Sequence, residues 1–573
     1  MRPTMLPYSS GIRKTQQVQF NGYRHTVDCS EGQIWDETNI SGRAYPYLRP
    51  IRNRPEFPNS CDNALFSHDA LGWVSGTELW YDGHLVGYVE DSRKQIAVMG
   101  DRIVIFPDKA VLNAKYKRLG VYSTLAALEA AVQNPKEFDA YGVGASAPYE
   151  LYAWSGSEWV SYGKELEPME RTASFSGVTF KGTTYQDVPA EANTMEFSVN
   201  VEGLGFKEGD AVTIRGCTKH PENNKTAIIR EISGKQLRFY EYAFKLDGDE
   251  SITEYSEPGT ITVSRTVPDM NVICAVDNRL WGAKDDTIYA SKLGDPTNFN
   301  VFDGLTTDSW FQETGTAGEF TGCAPYLGYP IFFKEGQIFK IYGKNAENFE
   351  PSRSATMGVK AGAWRSLAIA GEVLYYLSDN GLVAYTGGIP ESAAEPFGNV
   401  KYTDAVAGSD GRRLYLSMER TDGSREVFCL DTDTGLLCKE DDLEVYQFCR
   451  FGGNLYALLE TGGAVKVNAD EGNCPESMVE FGDIMENTMD RKGVSRLQVR
   501  VTLEEGAEMQ ISIQYDSEGV WRNVKRLTAT KKKSFSFPVA VRRCDHYRIK
   551  IEGTGYWELH SMAREFYVGS GVH

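Results

Sequence analysis

Asn278 to Asp303 reads N-R-L-W-G-A-K-D-D-T-I-Y-A-S-K-L-G-D-P-T-N-F-N-V-F-D, and this stretch decides the fold. Two short runs of β-forming residues, Arg279 to Ala283 and Thr287 to Ser291, are joined by an Asp-Asp turn. The breaker cluster Gly294-Asp295-Pro296-Thr297-Asn298 closes the unit. Strand, tight turn, strand and breaker make a module that cannot bury both of its faces alone, so it calls for neighbours of the same kind.

Such neighbours recur. Tyr329 to Gly343 repeats the unit with its turn at Glu335-Gly336, and Glu372 to Gly388 repeats it with an Asp379-Asn380-Gly381 turn, whose residues tolerate positive φ. Arg413 to Leu437 carries two turns, at Asp422-Gly423 and Asp433 to Gly435; Asn454 to Val467 follows. Nearer the N-terminus, Glu78 to Val89 and Asp101 to Phe106 have the same character. Small antiparallel meanders with an aromatic in the first strand predict the blades of a β-propeller, about five to seven of them. A mainly β chain also fits 56 Gly, 31 Tyr and 27 Phe in 573 residues.

Composition shifts divide the chain into an N-terminal arm 1–45, a first blade region 46–118, an inserted α/β module 119–165, an inserted small β-barrel 166–266, the β-propeller 267–480 and a C-terminal β-sandwich 481–573. In the α/β module, Ser123 is placed to cap a helix through Val132 that Asn134-Pro135 ends, and strands are expected at Ala140–Val143 and Glu150–Ser155. Trp154 and Trp159 frame a hairpin with an exposed aromatic tip. In the barrel, Gly209-Asp210 hinges Phe206–Cys217, and Ala227–Ile232, Leu237–Ala243 and Gly259–Arg265 add strands. Glu231, Glu241, Asp247, Asp249 and Glu250 dilute its basic residues, which argues against a nucleic-acid groove. Past Phe481, Leu497–Leu503, Met509–Tyr515, Ser534–Val541 and His546–Glu552 alternate as half-buried strands do.

The segment 278–303 resembles one that recurs in structural tail proteins of double-stranded DNA bacteriophages, the tail nozzle or packaged-DNA stabilisation proteins. Gly120 to Gly163 resembles a small α/β unit of phage tail and fibre proteins, and Tyr547 to Phe566 resembles the terminal sandwich strands of the nozzle proteins. The resemblance implies a virion protein assembled in the host cytoplasm. It would form a hexameric ring that meets portal, adaptor and tail fibre proteins, retains the packaged genome and passes DNA at ejection.

Catalytic chemistry is hard to find in the residues. His25, His68, His84, His220, His546, His560 and His573 form no H-E-x-x-H and no pair at ligand spacing. The ten cysteines include no C-x-x-C; Cys429 and Cys438 flank a turn and Cys449 stands apart, so free thiols and no bound metal are expected. No nucleophile elbow, P-loop or dinucleotide fingerprint occurs, and Gly203-Leu204-Gly205 and Gly142-Val143-Gly144 read as turns. Tyr515 to Trp521 approaches the Asp-box hairpin of sialidases, but Gln514 stands where that motif needs Ser or Thr. It reads as a hairpin turn. No catalytic, cofactor or metal residue is assigned, and no enzyme is expected.

The M-R-P-T-M-L-P start, with Pro3 and Pro7, shows no secretion signal, and no apolar run reaches the length of a membrane span, which predicts a soluble chain. With 60 basic and 79 acidic residues the net charge is −19, which opposes binding to DNA phosphates or an anionic membrane. A conduit through which DNA slides without sticking suits that balance. Lys531-Lys532-Lys533, the one basic run, is expected at a solvated hairpin tip. The alternative is a tail-associated glycan- or receptor-binding propeller that uses Trp154 and Trp159.

Overall fold

The computed structural model describes residues 11–182, 193–240, 244–246 and 253–568. Pro3, Pro7, Glu241, Asp247, Asp249, Glu250, His573 and the end of the strand expected over Leu237–Ala243 lie outside them. The described chain is mainly β, built of many small sheets, with one α-helix at Leu125–Ala131 among the described residues. It divides into two compact units, Met1–Ser67 with Val359–His573, and His68–Gly358, a cut that falls inside the stretch 267–480.

In the unit His68–Gly358, the opening segment folds as its residues require. Asp277 and Asn278 take φ of 49° and 55°, the two left-handed residues of a type I′ hairpin. They join Val272–Val276 to Arg279–Lys284, which pairs on its other side with Thr287–Ala290, and Trp310–Glu313 completes the sheet. Gly282 is needed for space: a Cβ there would lie 2.3 Å from Met270 Sδ and 2.8 Å from Val272 O. The next sheet repeats the order with Gly322–Tyr326, Tyr329–Lys334, Gln337–Tyr342 and Glu350–Ala355. Cys274, Trp281 and Ile288 of the first sheet share a core with Phe332 and Phe339 of the second.

Two modules interrupt this unit. Gln95–Met99, Arg102–Phe106 and Ala110–Asn113 form three strands, and the chain returns at Leu166–Pro168 to complete their sheet beside Ala110–Asn113. The flanks of the α/β module are therefore adjacent, with Asn113 N–H donating to Glu165 O at 2.8 Å. Inside the module, Arg118–Tyr122 lies parallel to Ala140–Val143, and the helix makes the crossover that a parallel pair needs. Thr124, rather than the expected Ser123, caps that helix. Its backbone is extended and its side chain accepts from Ala127 N, which satisfies an otherwise orphaned donor. Ala140, Leu151 and Ala153 make a separate small core. Replacing residues 120–163 with a short Gly/Ser linker should leave cooperative unfolding intact, at a loss of no more than ~2 kcal/mol. Thermal unfolding that loses its cooperative transition would show that the module belongs to the main core.

The second module is an eight-stranded sheet wrapped around its own core, in which Phe180, Met195, Val212, Ile229, Leu237 and Val263 are buried.

The other unit holds further small sheets, over 40–50, 368–392, 402–439 and 445–466, and a seven-stranded C-terminal sheet. Along the latter run Ile12–Gln17, Trp557–Val568, Lys492–Tyr515, Tyr547–Thr554, Ser477–Phe481 and Ile34–Thr38, with Arg522–Pro538 paired to Lys492–Tyr515. Residues 1–45, expected as an arm, thus supply two strands to the sheet that ends the chain. Ile12–Gln17 escapes a sequence reading because this edge strand is mostly exposed and carries a single apolar residue.

Glu37, on Ile34–Thr38, is wholly buried; Lys439 N donates to its Oε1 at 2.7 Å and its Oε2 has no hydrogen-bond partner. Burial pushes its carboxyl up to about 8, against the pull of the Lys439 amide and ammonium. The raised value favours the folded state fully at pH below the ordinary carboxyl range. That stability drains as pH rises from there through about 8, at ~1.4 kcal/mol per pH unit. Glu37→Gln should remove this slope. The free-energy difference between variant and parent, from urea unfolding, should grow in the variant's favour from acid to mildly alkaline pH; a constant difference would refute the assignment.

Candidate functional site

The segment 278–303 builds a clasp. Arg279 is 1% exposed, and its guanidinium donates to three backbone carbonyls: Ser291 O at 2.7 Å, Asp308 O at 2.5 Å and Thr306 O at 2.9 Å. Burial lowers its pKa from the ordinary arginine value while the Asp308 charge opposes the shift, and the group remains a cation. The guanidinium also lies over the Phe349 ring at 5.3 Å. One side chain thus fixes both ends of the excursion from Ser291 to Asp308.

Inside that excursion, the breaker cluster is a polar turn. Thr297 N and Oγ1 donate to Asp295 Oδ1 at 2.9 and 2.7 Å, and Asn298 Nδ2 donates to Asp295 Oδ2 at 2.5 Å. Burial would raise the Asp295 pKa, but these hydrogen bonds outweigh it and hold the carboxylate below its usual range. Asn298, 1% exposed, reaches the eight-stranded module: it donates to Asp210 Oδ1 at 3.2 Å, and its Oδ1 accepts from Ala211 N at 3.2 Å. Arg265 Nη1 holds the other Asp210 oxygen at 2.5 Å, and Ala211, Ile228 and Val301 seal the joint with apolar contact. The buried polar residues here bond to carbonyls and to one another, an arrangement that fixes one module on another.

The excursion and the strand Trp310–Glu313 that follows it display apolar side chains to solvent. Phe302, Leu305 and Phe311 are 53%, 55% and 54% exposed, with the Phe302 and Phe311 rings 5.6 Å apart. Exposed apolar groups on an anchored loop suit contact with another protein.

Trp154 and Trp159 are cross-strand partners whose rings meet edge-on at 5.3 Å, and Trp159 also meets Tyr141 at 5.7 Å. Both are half-buried rather than an exposed tip. A groove of about 810 Å³ is lined by His25, Trp35, Glu395, Lys401 and Arg420, but His25 at 4.1 Å and the Arg548 guanidinium at 4.8 Å cover the Trp35 ring. Asp516 and Ser517 form a hairpin turn with φ near 50°, and Glu518 beside them pairs with Arg522 and Arg542.

Lys531, Lys532 and Lys533 do not form a hairpin tip. They sit within the strand Arg522–Pro538, where its register against Lys492–Tyr515 slips, so all three are exposed instead of alternating. The ten cysteines are thiols, and Cys429 and Cys438 oppose each other across two strands. His560 Nε2 lies 2.9 Å from Thr502 Oγ1, and His546 Nε2 lies 2.7 Å from Ser517 Oγ. Among the described residues no group of His, Cys, Asp or Glu is arranged to hold a metal ion, and no helix is long and apolar enough to cross a membrane.

No family model matches the chain, and no curated protein does. Among solved structures, it is similar to two forms of exo-beta-1,3-galactanase from Phanerochaete chrysosporium with beta-1,3-galactotriose, each at 9% identity and a TM-score of 0.20, over 50% of this chain and 92% of the other. It is also similar to a Cry1Da tryptic core variant from Bacillus thuringiensis, at 8% identity and a TM-score of 0.14, over 44% of this chain and 51% of the other. Likenesses this distant carry no argument about fold or activity.

Proposed function

We propose that this chain is a structural subunit of a bacteriophage tail: a nozzle or hub ring that continues the DNA channel, retains the packaged genome and passes it at ejection. In this reading the small sheets are blades of a β-propeller, the eight-stranded module is a small barrel, and the C-terminal sheet is a sandwich. The observation that carries it is the clasp. The segment that resembles the nozzle proteins places its buried Arg279 and Asn298 on backbone carbonyls and on Asp210, so its polar residues hold a module in place. That is a mechanical use of charge, fit for a part that transmits load.

The net charge of −19 agrees, since a lumen that repels phosphates keeps DNA centred and unbound. The exposed Phe302, Leu305 and Phe311 then face a neighbouring virion protein, such as portal, adaptor or fibre. The chain would act in the virion tail after assembly in the host cytoplasm, as a cyclic homo-oligomer, a hexamer by resemblance to the nozzle proteins. Labelling this chain and imaging the virion tests the reading: an axial ring with a net negative lumen is expected. A peripheral spike, or a lumen lined mainly by Lys and Arg, would overturn it in favour of receptor binding.

A further inference from the structure

The hairpin turn after Tyr515 carries a side-chain contact that its own geometry does not require. Lys492–Tyr515 ends there and Arg522–Pro538 begins beyond it, with Asp516 and Ser517 at φ of 49° and 50° in the turn between them. Asp516 already ties the turn to the residues that precede the strand Tyr547–Thr554: its N–H donates to His546 O at 3.1 Å, and its Oδ1 accepts from Asp545 N at 2.7 Å and from His546 N at 3.4 Å. Left-handed backbone suits Asp or Gly better than Ser, so the serine at the second turn position calls for a reason outside the turn.

That serine completes a line of three side chains. Ser517 Oγ lies 2.7 Å from His546 Nε2, and His546 Nδ1 lies 3.2 Å from Asp545 Oδ2. A carboxylate only accepts, so it fixes the imidazole proton on Nδ1 and leaves Nε2 to accept from the Ser517 hydroxyl. Hydroxyl, imidazole and carboxylate then stand in the order that makes a serine nucleophilic, with the base against the hydroxyl and the acid behind the base. Proximity alone does not produce this order. At His560 the same nitrogen, Nε2, meets both Thr502 Oγ1 at 2.9 Å and Glu558 Oε2 at 3.3 Å, while Nδ1 is buried with no hydrogen-bond partner.

The surroundings suit a proton transfer. Asp483 Oδ1, 4.0 Å from His546 Nε2 and held by Arg548, adds its negative charge to that of Asp545 beside the imidazolium that forms when the base takes a proton. Glu518, the next residue after the serine, is occupied by Arg522 and Arg542. Ser517 and Asp545 are exposed and His546 is half-buried, so the hydroxyl is open to a substrate from solvent. Among the described residues the Ser517 N–H has no acceptor, which leaves a backbone donor for a developing oxyanion.

We propose that Ser517, His546 and Asp545 form a hydrolytic site for carboxylic esters. Ser517 Oγ attacks the carbonyl carbon, its proton passes to His546 Nε2, and the carbonyl electron pair moves onto oxygen; as that pair returns, the alcohol leaves with the proton from Nε2. Water then repeats the sequence on the acyl-serine, releases the carboxylic acid and restores Ser517, so ester and water give acid and alcohol. Exposure selects esters over amides, because an alcohol depends less than an amine on a well-enclosed acid to protonate it. Ser517 and His546 are the catalytic residues and Asp545 positions the imidazole. The activity is independent of a place in a tail ring and stands without it.

The full chain is tested with p-nitrophenyl acetate and with a fluorophosphonate, which an activated serine takes up by attack of Oγ on phosphorus with loss of fluoride. Peptide mass spectrometry should find the phosphonyl group on Ser517. S517A and H546Q should each abolish that label and lower kcat/KM for the ester about 100-fold. D545N should lower kcat about tenfold with KM unchanged, a modest loss because solvent screens the exposed carboxylate. Melting temperatures should match the parent, since Asp516 still holds the turn. If a variant melts lower, the label on the parent decides alone. A parent that takes no label at Ser517, or ester hydrolysis that S517A leaves unchanged, as ordinary surface imidazoles would give, overturns the site.

Discussion

Replacing Arg279 by Met is expected to destabilise the unit His68–Gly358 by ~3–5 kcal/mol, with the damage centred on residues 291–308. The cause is stranding rather than lost attraction. The guanidinium satisfies the carbonyls of Ser291, Thr306 and Asp308, and a thioether of similar length offers none of them a donor. Amide exchange should speed up across 291–308, and Asn298 should lose its grip on Asp210, which loosens the eight-stranded module as well. Arg279→Lys should recover part of the loss, since an ammonium restores the charge without the planar fork that spans several acceptors. A urea midpoint for Arg279→Met equal to that of the parent would show that the clasp contributes nothing.

Arg564→Met should be as severe in the other unit. Arg564 is 2% exposed and lies between Glu486 at 2.8 Å and Glu31 at 2.9 Å, while Thr15 Oγ1 donates to Glu486 at 2.7 Å and the Tyr547 hydroxyl donates to it as well. Removing the cation leaves a fully buried carboxylate without its counter-charge, a loss of ~3–5 kcal/mol. Thr15 and Glu31 come from the beginning of the chain and Arg564 from its end, so the variant should also free the strand Ile12–Gln17. Faster exchange there, measured beside unchanged exchange in 402–439, would separate a local release from global unfolding. Equal protection in variant and parent would mean that the cluster does not hold the terminal strand.

What the sequence made legible follows the range of each signal. Turns at Glu335-Gly336 and Asp379-Asn380 and the strands flanking them could be read because tight hairpins are specified by adjacent residues. Long-range partnerships could not. Nothing near Arg279 announces acceptors 12 and 29 residues away, and an arginine beside a turn ordinarily looks solvated. The lysine run was misplaced for a related reason: a strand of 17 residues with a slipped register has no local signature that separates it from two short strands and a tip. The helix cap differs by one residue because Ser123 and Thr124 both supply the hydroxyl and only the backbone decides which is used.

The seat of the α/β module has a mechanical meaning. Its two connections leave the parent sheet side by side, at the end where Ala110–Asn113 finishes and Leu166–Pro168 begins, and those strands are in register with each other. A pull on the module along the strands would draw both lengthwise past their neighbours. The rungs between Ala110–Asn113 and Arg102–Phe106 would then carry the load together, as in a lap joint, instead of parting one after another like a zip fastener. A module tethered in this way can be tugged repeatedly by whatever it touches and pass the force into the sheet without being peeled from it.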